Sequence, residues 1–563
     1  MKLRSIKIVG AYKSIVGTEE KPFTYVFESG VQDLSPLCLV GPNGSGKSNF
    51  IELIADIFCY VERSLSKQYK FNKKLNYTFE ISYWLTRNNK TFEVRLSSGE
   101  DGPIIEMNTP RGFERVTTHG EYDFEPLDAE YLYYLPDNVF AYSSGQNQGL
   151  STVFSKLQFS YFDTLKKQSL YHNRHYARIG EKSINEKSNQ VQIEEFMSQT
   201  FEENPFLYRK PEVYEFEVPL VEITPKTPSC LYSDNYLNQL IFISLVTQQN
   251  SAFNNFLKEN IKIESVISFE LDLRLKEFRE LGEVKFEVER LIRLSSNDSK
   301  FNKETLNGLL EFKCNSHFFS KIESEYTENS DFFNKLIMLT LMAAKRWSTD
   351  EKKVLKQSMF ERNVAHVSGG YSPLRVINTK VKLGTSEGST LYDRLSDGEH
   401  QLIQIIAALI LFEDKQTLFI LDEPESHFNP EWRIEFVSLI DKYVNTENID
   451  LMISTHSPFI LSACEKDRVL SFKRNDDSNV CIRNVDVQTY GASFDSLLTS
   501  VFDLDVLISN KPLNEIKEKL LAFDEGNVSA EETLRKIKAY GQSFELNYRR
   551  NQLEMDADHQ GVE

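Results

Sequence analysis

Three short stretches of the chain are apolar at every position: Leu37-Cys38-Leu39-Val40, Leu418-Phe419-Ile420-Leu421 and Leu451-Met452-Ile453. Side chains of a strand alternate between its two faces, so an unbroken apolar run predicts a strand covered on both sides, as in a helix-flanked parallel sheet. Period-two alternation marks Ser5–Val9, Tyr77–Thr86 and Thr91–Leu96 as further strands, with Arg87-Asn88-Asn89-Lys90 as the hairpin turn between the last two. Helical spacing takes over at Phe50, Ile51, Ile54, Ile57 and Phe58, and again across Asn235–Ile261, Asp331–Lys356 and Gln401–Phe412.

The order of these patterns divides the chain. Residues 1–150 read as the first half of an α/β domain with a small antiparallel β subdomain beside it. Residues 151–375, rich in Phe, Tyr, Lys and Glu, read as a large, mostly helical insertion; it has no sustained heptads, so a long coiled-coil arm is not expected. The α/β pattern resumes over 376–510, and 511–563 is a charged helical tail. The fold class expected is α/β, a mixed sheet with flanking helices interrupted by that insertion.

At 563 residues, two or three domains are expected, and a 40% hydrophobic content is ample for their cores. Met1–Ile8 alternates like a strand and lacks the apolar block of a signal peptide, and no run of about 18 apolar residues is present to cross a bilayer. Six scattered cysteines without a C-x-x-C pair predict neither a zinc site nor a disulfide framework, so a cytoplasmic protein is expected. The formal net charge of −18 disfavours wrapping nucleic acid over a broad face. Lys166-Lys167 and Tyr171-His172-Asn173-Arg174-His175-Tyr176-Ala177-Arg178 still alternate basic and aromatic side chains, a composition that follows single strands.

The chemistry lies at the ends of the buried runs. Leu37–Val40 leads into Gly41-Pro42-Asn43-Gly44-Ser45-Gly46-Lys47-Ser48, the G-x-x-x-x-G-K-[ST] spacing, followed at once by a helix. Glycines let backbone N–H groups converge on phosphate oxygens, and the helix dipole favours the same charge. Lys47 is then a cation for the β- and γ-phosphates of a nucleoside triphosphate and the Ser48 hydroxyl a Mg²⁺ ligand. The second run ends in Asp422-Glu423: Asp422 is expected opposite Ser48 in the magnesium shell, and Glu423 as the base that orients and deprotonates water. The third ends in Ser454-Thr455-His456, with His456 a candidate γ-phosphate sensor. Leu395-Ser396-Asp397-Gly398-Glu399 opens the helix 401–412 with a hydroxyl, a glycine and free N–H groups, a second place for an anion.

Taken in order, Gly41–Ser48, Gln146 (with Gln148 in the same loop), Leu395–Glu399, Leu418–Glu423 and His456 resemble the Walker A, Q-loop, signature, Walker B and switch-histidine elements of ABC-type ATPases of the AAA class. Tyr12-Lys13 after a short N-terminal strand, and the large insertion, are similar to the SMC/RecF/OLD branch. The resemblance covers about 1–160 and 375–510; Ser396-Asp397-Gly398 stands where Ser-Gly-Gly is commoner. It implies that Gln146 joins Ser48 and Asp422 around Mg²⁺. It further implies a homodimer or higher oligomer, in which Ser396 and Gly398 of one copy meet the phosphate held by Lys47 of the other. Tyr142-Ser143-Ser144-Gly145, Asp422-Glu423-Pro424-Glu425 and Tyr490-Gly491-Ala492-Ser493 resemble the PtuA-type ATPases of Septu and some retron antiviral systems. That likeness implies a separate HNH nuclease partner and, in retrons, a reverse transcriptase with its reverse-transcribed DNA. No membrane is expected among the partners, since no apolar run is long enough to cross one. The alternative is a RecF/SMC-like repair ATPase that binds DNA directly, for which 166–178 is the best support.

Overall fold

The computed structural model describes residues 1–27, 36–65, 75–100, 102–116, 133–145, 149–154, 227–278, 282–326, 331–342, 372–384, 388–502, 504 and 509–541. The first strands are β1 (Lys2–Tyr12), β2 (Ile15–Gly17), β3 (Phe23–Val26) and β4 (Leu37–Val40), followed by helix α1 (Lys47–Leu65). A meander follows: β5 (Tyr77–Arg87), β6 (Lys90–Ser98), β7 (Pro103–Thr109) and β8 (Gly112–Arg115). The expected hairpin is present, with Asn88 and Asn89 both at positive φ, as a two-residue turn between twisted strands requires. These strands form an antiparallel sheet in the order β2-β1-β5-β6-β7-β8, with β3 on β1.

The central sheet adds β9 (Asn138–Ser143), β10 (Cys230–Tyr232), β16 (Thr417–Asp422), β17 (Ile449–Ser454), β18 (Val469–Arg474) and β19 (Val480–Asn484) to β4. Its order is β10-β9-β16-β17-β4-β18-β19, parallel except for β19. Burial on both faces is as the unbroken apolar runs require. Leu37, Leu39, Leu418 and Ile420 face the core shared with α1 and the antiparallel sheet, whereas Cys38, Val40, Phe419 and Leu421 face the opposite core.

That opposite core is built largely by the segment between the halves. Helices α2 (Asn235–Thr247), α3 (Ser251–Phe256), α4 (Gly282–Leu294), α5 (Ser316–Glu325) and α6 (Asp331–Leu341) belong to it, as do strands β11 (Ile263–Arg274), β12 (Asn297–Asn302) and β13 (Asn307–Lys313). Asn235–Ile261, expected as one helix, is broken. Asn250 caps a new start by accepting from the Phe253 N–H, and a π turn over Leu257–Ile261 ends at Lys262 with φ 65°. The strands were not expected from sequence. They join β14 (Leu374–Leu383) and β15 (Ser389–Leu391) in a second antiparallel sheet, β12-β13-β11-β14-β15, whose pairing crosses residue 375. Of the expected helix 331–356, the part beyond residue 342 lies outside the described residues.

Helix α7 (Asp397–Leu411) packs against α2 over the central sheet, with α8 (Pro430–Tyr443) beside it. The chain continues through α9 (Pro458–Leu461) and α10 (Phe494–Ser500) to α11 (Asn510–Asp524) and α12 (Ala530–Ile537). The last two share a small apolar cluster of their own around Ile516 and Ile537. Among the described residues no helix is long and apolar enough to cross a membrane.

Candidate functional site: a nucleotide-type phosphate loop

β16, β17 and β4 lie side by side and parallel, so their carboxyl ends open on one edge, where α/β sheets gather ligands. The chain leaves β4 through Gly41 at φ 142°, where a Cβ would stand 2.4 Å from the Phe472 carbonyl oxygen. Gly46, at φ 107°, passes Val480 with the same lack of room. Only glycine fits either place. Ser45 N–H donates to the Pro42 carbonyl at 3.2 Å, Arg474 Nε donates to the Gly44 carbonyl at 2.7 Å, and α1 starts at Lys47. Pro42, Asn43 and Gly44 are exposed, Ser48 is half-buried, and the buried Ser45 hydroxyl has no hydrogen-bond partner.

Lys47 is buried and folded back over its own loop. Its Nζ donates to the Gly41 carbonyl at 2.8 Å and lies 3.4 Å from the Pro42 carbonyl and 3.0 Å from His456 Nε2. Burial lowers its pKa, and the charges of Glu423 and Asp422 work against that. An ammonium has no lone pair to offer, so Nε2 of His456 accepts and the ring is neutral. Burial, followed by the Lys47 charge, holds the His456 pKa below the usual histidine value.

Asp422 ends β16 buried, and the Ser454 hydroxyl at the end of β17 donates to its Oδ1. Glu423 takes the left-handed conformation, φ 51°, which costs a side-chain-bearing residue roughly 1–2 kcal/mol. Its N–H donates to the Ser454 carbonyl at 3.0 Å, which holds the bend. The bend carries the Glu423 carboxylate out of the strand to a half-exposed position, with Oε1 3.6 Å from His456 Nε2. A lysine, two carboxylates and a histidine from three sequence regions thus meet at one edge.

The second expected anion corner is built differently. Ser396 caps α7; its N–H and Oγ donate to Glu399 Oε2 at 2.7 and 2.8 Å, and the Glu399 N–H donates back to Oγ at 3.3 Å. Ser396 and Asp397 are exposed, Leu395 and Glu399 half-buried. Gly398 is pressed on the segment after β16, where a Cβ would meet the His427 carbonyl at 2.7 Å. Gln401, one turn on, accepts from the His427 N–H at 3.0 Å and fastens the same contact. Gln146 and the stretch 166–178 lie outside the described residues.

Residues 1–461 match the AAA ATPase domain family. The chain belongs to that family. Membership places it among ATPases. Among relatives, the Septu protein PtuA of Bacillus thuringiensis is 23% identical over 248 residues, 41% of this chain and 58% of that one. Protein ea59 of Escherichia phage lambda is 26% identical over 176 residues, 30% of this chain and 32% of that one. The chain therefore spans little more than half of the first relative. The SMC head domain from Thermotoga maritima resembles it loosely in shape, with a TM-score of 0.32 and 12% identity over 86% of this chain and 100% of that one. The strand order and the loop geometry define this ATPase domain more sharply than that likeness does.

Sequence reasoning overlooked Gln401, and it also overlooked Glu425 and Thr455, which bond to each other beneath His456. Glu425 stood in plain view in Asp-Glu-Pro-Glu, but its partner comes from another strand and its burial from the fold.

Proposed function

We propose that this ATPase is the ATP-binding and hydrolysing subunit of a bacterial antiviral system of the Septu or retron type, and that it governs a separate HNH nuclease through ATP-dependent dimerisation. The observation that carries the enzymatic part is the meeting of Lys47, His456 and Glu423 at the edge shared by β4, β17 and β16. The support for a defence role is the similarity to the Septu protein PtuA.

The residues fit a triphosphate with magnesium. Gly44 has open space around it, the Ser45 hydroxyl lacks a partner, and the Lys47 amine rests on carbonyls that an anion would replace. Among the described residues no group of three or more His, Cys, Asp or Glu gathers to hold a metal alone. Ser48 and Asp422 would hold Mg²⁺, a donor set of the kind that leaves most positions to water and phosphate oxygens. Bound there, the ion supplies charge neutralisation for phosphoryl transfer. In this reading Glu423 accepts the proton of the attacking water, Lys47 leaves His456 to neutralise the β- and γ-oxygens, and neutral His456, freed to carry its proton on Nε2, donates toward the γ-phosphate. Ser396 and Gly398 act on the nucleotide of a second copy, in a two-fold arrangement.

The test is sedimentation of the Glu423→Gln protein with and without ATP and Mg²⁺, together with cleavage assays in the presence of an added HNH nuclease of the Septu type. A doubled mass with ATP, blocked by Ser396→Arg, and nuclease activity that changes with nucleotide support the reading. A monomer under every condition contradicts it. DNA mobility shifts by the ATPase alone, weakened by salt, favour the RecF/SMC-like repair alternative.

A further inference from the structure

Glu425 lies three residues beyond Asp422 and is 5% exposed. Its Oε1 accepts from the Thr455 hydroxyl, and its Oε2 is buried without a hydrogen-bond partner. Burial pushes the carboxyl above the ordinary glutamate range. Its single side-chain hydrogen bond reaches the neighbouring strand, and that bond shows what the buried group holds.

What it holds is the turn that carries His456. Thr455 is fully buried at the end of β17, where its N–H donates to the Leu39 carbonyl of β4 at 3.0 Å. Its Oγ accepts from the Ser457 N–H at 2.9 Å. The Thr455 hydroxyl thus uses both of its capacities, accepting from the Ser457 N–H and donating its proton to Glu425. The chain Glu425–Thr455 Oγ–Ser457 N–H therefore pins both neighbours of His456 to the segment that begins with Asp422-Glu423. The Glu425 backbone is fastened too, since its carbonyl accepts from the Phe428 N–H at 3.0 Å.

We propose that Glu425 is a positioning residue: acting through Thr455, it sets the place of His456 against Glu423 and Lys47. It touches none of the reacting atoms. This inference rests on the reading of Glu423 and His456 as hydrolytic groups. The clamp spans the two strand ends that must stay in register when nucleotide arrives, so losing it loosens the 3.0 and 3.6 Å spacings around His456 Nε2.

The experiment measures kcat and KM for ATP, nucleotide affinity and thermal midpoint for Thr455→Val, Thr455→Ser, Glu425→Ala and Glu425→Gln, beside Glu423→Gln and His456→Ala. Misplacement of a catalytic group lowers kcat about 10- to 100-fold, so Thr455→Val and Glu425→Ala are expected to do so with KM and nucleotide affinity nearly unchanged. Thr455→Ser, which keeps the hydroxyl, and Glu425→Gln, which keeps the acceptor, are expected to recover most of that rate. Combining Thr455→Val with His456→Ala should add little to the loss from His456→Ala alone. The proposal is overturned if Thr455→Val keeps the wild-type kcat, or if every variant loses rate only in step with its thermal midpoint. If Glu423→Gln and His456→Ala themselves leave kcat intact, the underlying hydrolytic reading fails instead.

Discussion

The two helix starts that sequence marks as anion sites, 41–48 and 395–399, are finished in opposite ways. At the phosphate loop the chain gathers polar side chains from elsewhere: His456 and Glu423 come to Lys47, and the Ser45 hydroxyl is left without a partner. At the 395–399 corner the chain supplies its own anion, because the Glu399 carboxylate accepts from both the N–H and the hydroxyl of Ser396. A helix N-terminus offers the same dipole and the same N–H groups in both cases. The difference lies in what occupies them. The first leaves a buried hydroxyl and exposed loop backbone unmatched within one chain, as the proposed phosphate site requires. The second is complete as a cap, and a phosphate reaching it has to displace Glu399.

Substitutions separate the two sites. The largest effect is expected from Lys47→Ala, which removes a charge-assisted partner of the phosphates and should weaken ATP binding about 10- to 100-fold by calorimetry. Equal affinity in that variant would mean that the loop does not carry the nucleotide. Next comes Gly398→Ala, whose new Cβ would meet the His427 carbonyl. Relieving that clash should cost about 1–3 kcal/mol in urea unfolding. Ser396→Ala removes the α7 cap, for about 0.5–2 kcal/mol of stability. It should leave ATP affinity of the single chain unchanged while abolishing ATP-driven dimerisation. Weakened ATP binding by the monomer would place the 395–399 corner at its own chain's nucleotide.

The smallest effect concerns pH. His456 takes up a proton less readily in the fold than its ordinary value, chiefly through burial. The unfolded chain then binds the proton first as pH falls, so this stability is present above the unfolded histidine pKa, about 6.5, and is lost below it. His400 is shifted the same way by burial. His456→Gln should flatten part of the fall in thermal midpoint below that pH, and an unaltered slope would assign the fall to other groups.

The strands that build the site were legible because burial on both faces leaves an unbroken apolar run, which Leu37–Val40 and Leu418–Leu421 display. The hairpin at 87–90 was legible from Arg87-Asn88-Asn89-Lys90 between two alternating runs. Ser268–Arg274 carries the same polar–apolar alternation and was passed over among helical patterns; only its partners, β13 and β14, depend on the folded chain. The break at Asn250 is a capping choice that a long apolar helical pattern conceals. Motif spacing locates Lys47, Asp422, Glu423 and His456. The Ser396-x-x-Glu399 spacing is itself a capping-box signature that was passed over, whereas Glu425 reaching Thr455 depends on side-chain direction in the folded chain.

The most direct test of the central claim, that the Lys47–Glu423–His456 cluster hydrolyses ATP, is single-turnover hydrolysis of prebound ATP by the wild type and by Glu423→Gln. Loss of a general base predicts a rate at least about a hundredfold lower, with ATP affinity retained. An unchanged single-turnover rate in Glu423→Gln would contradict the account.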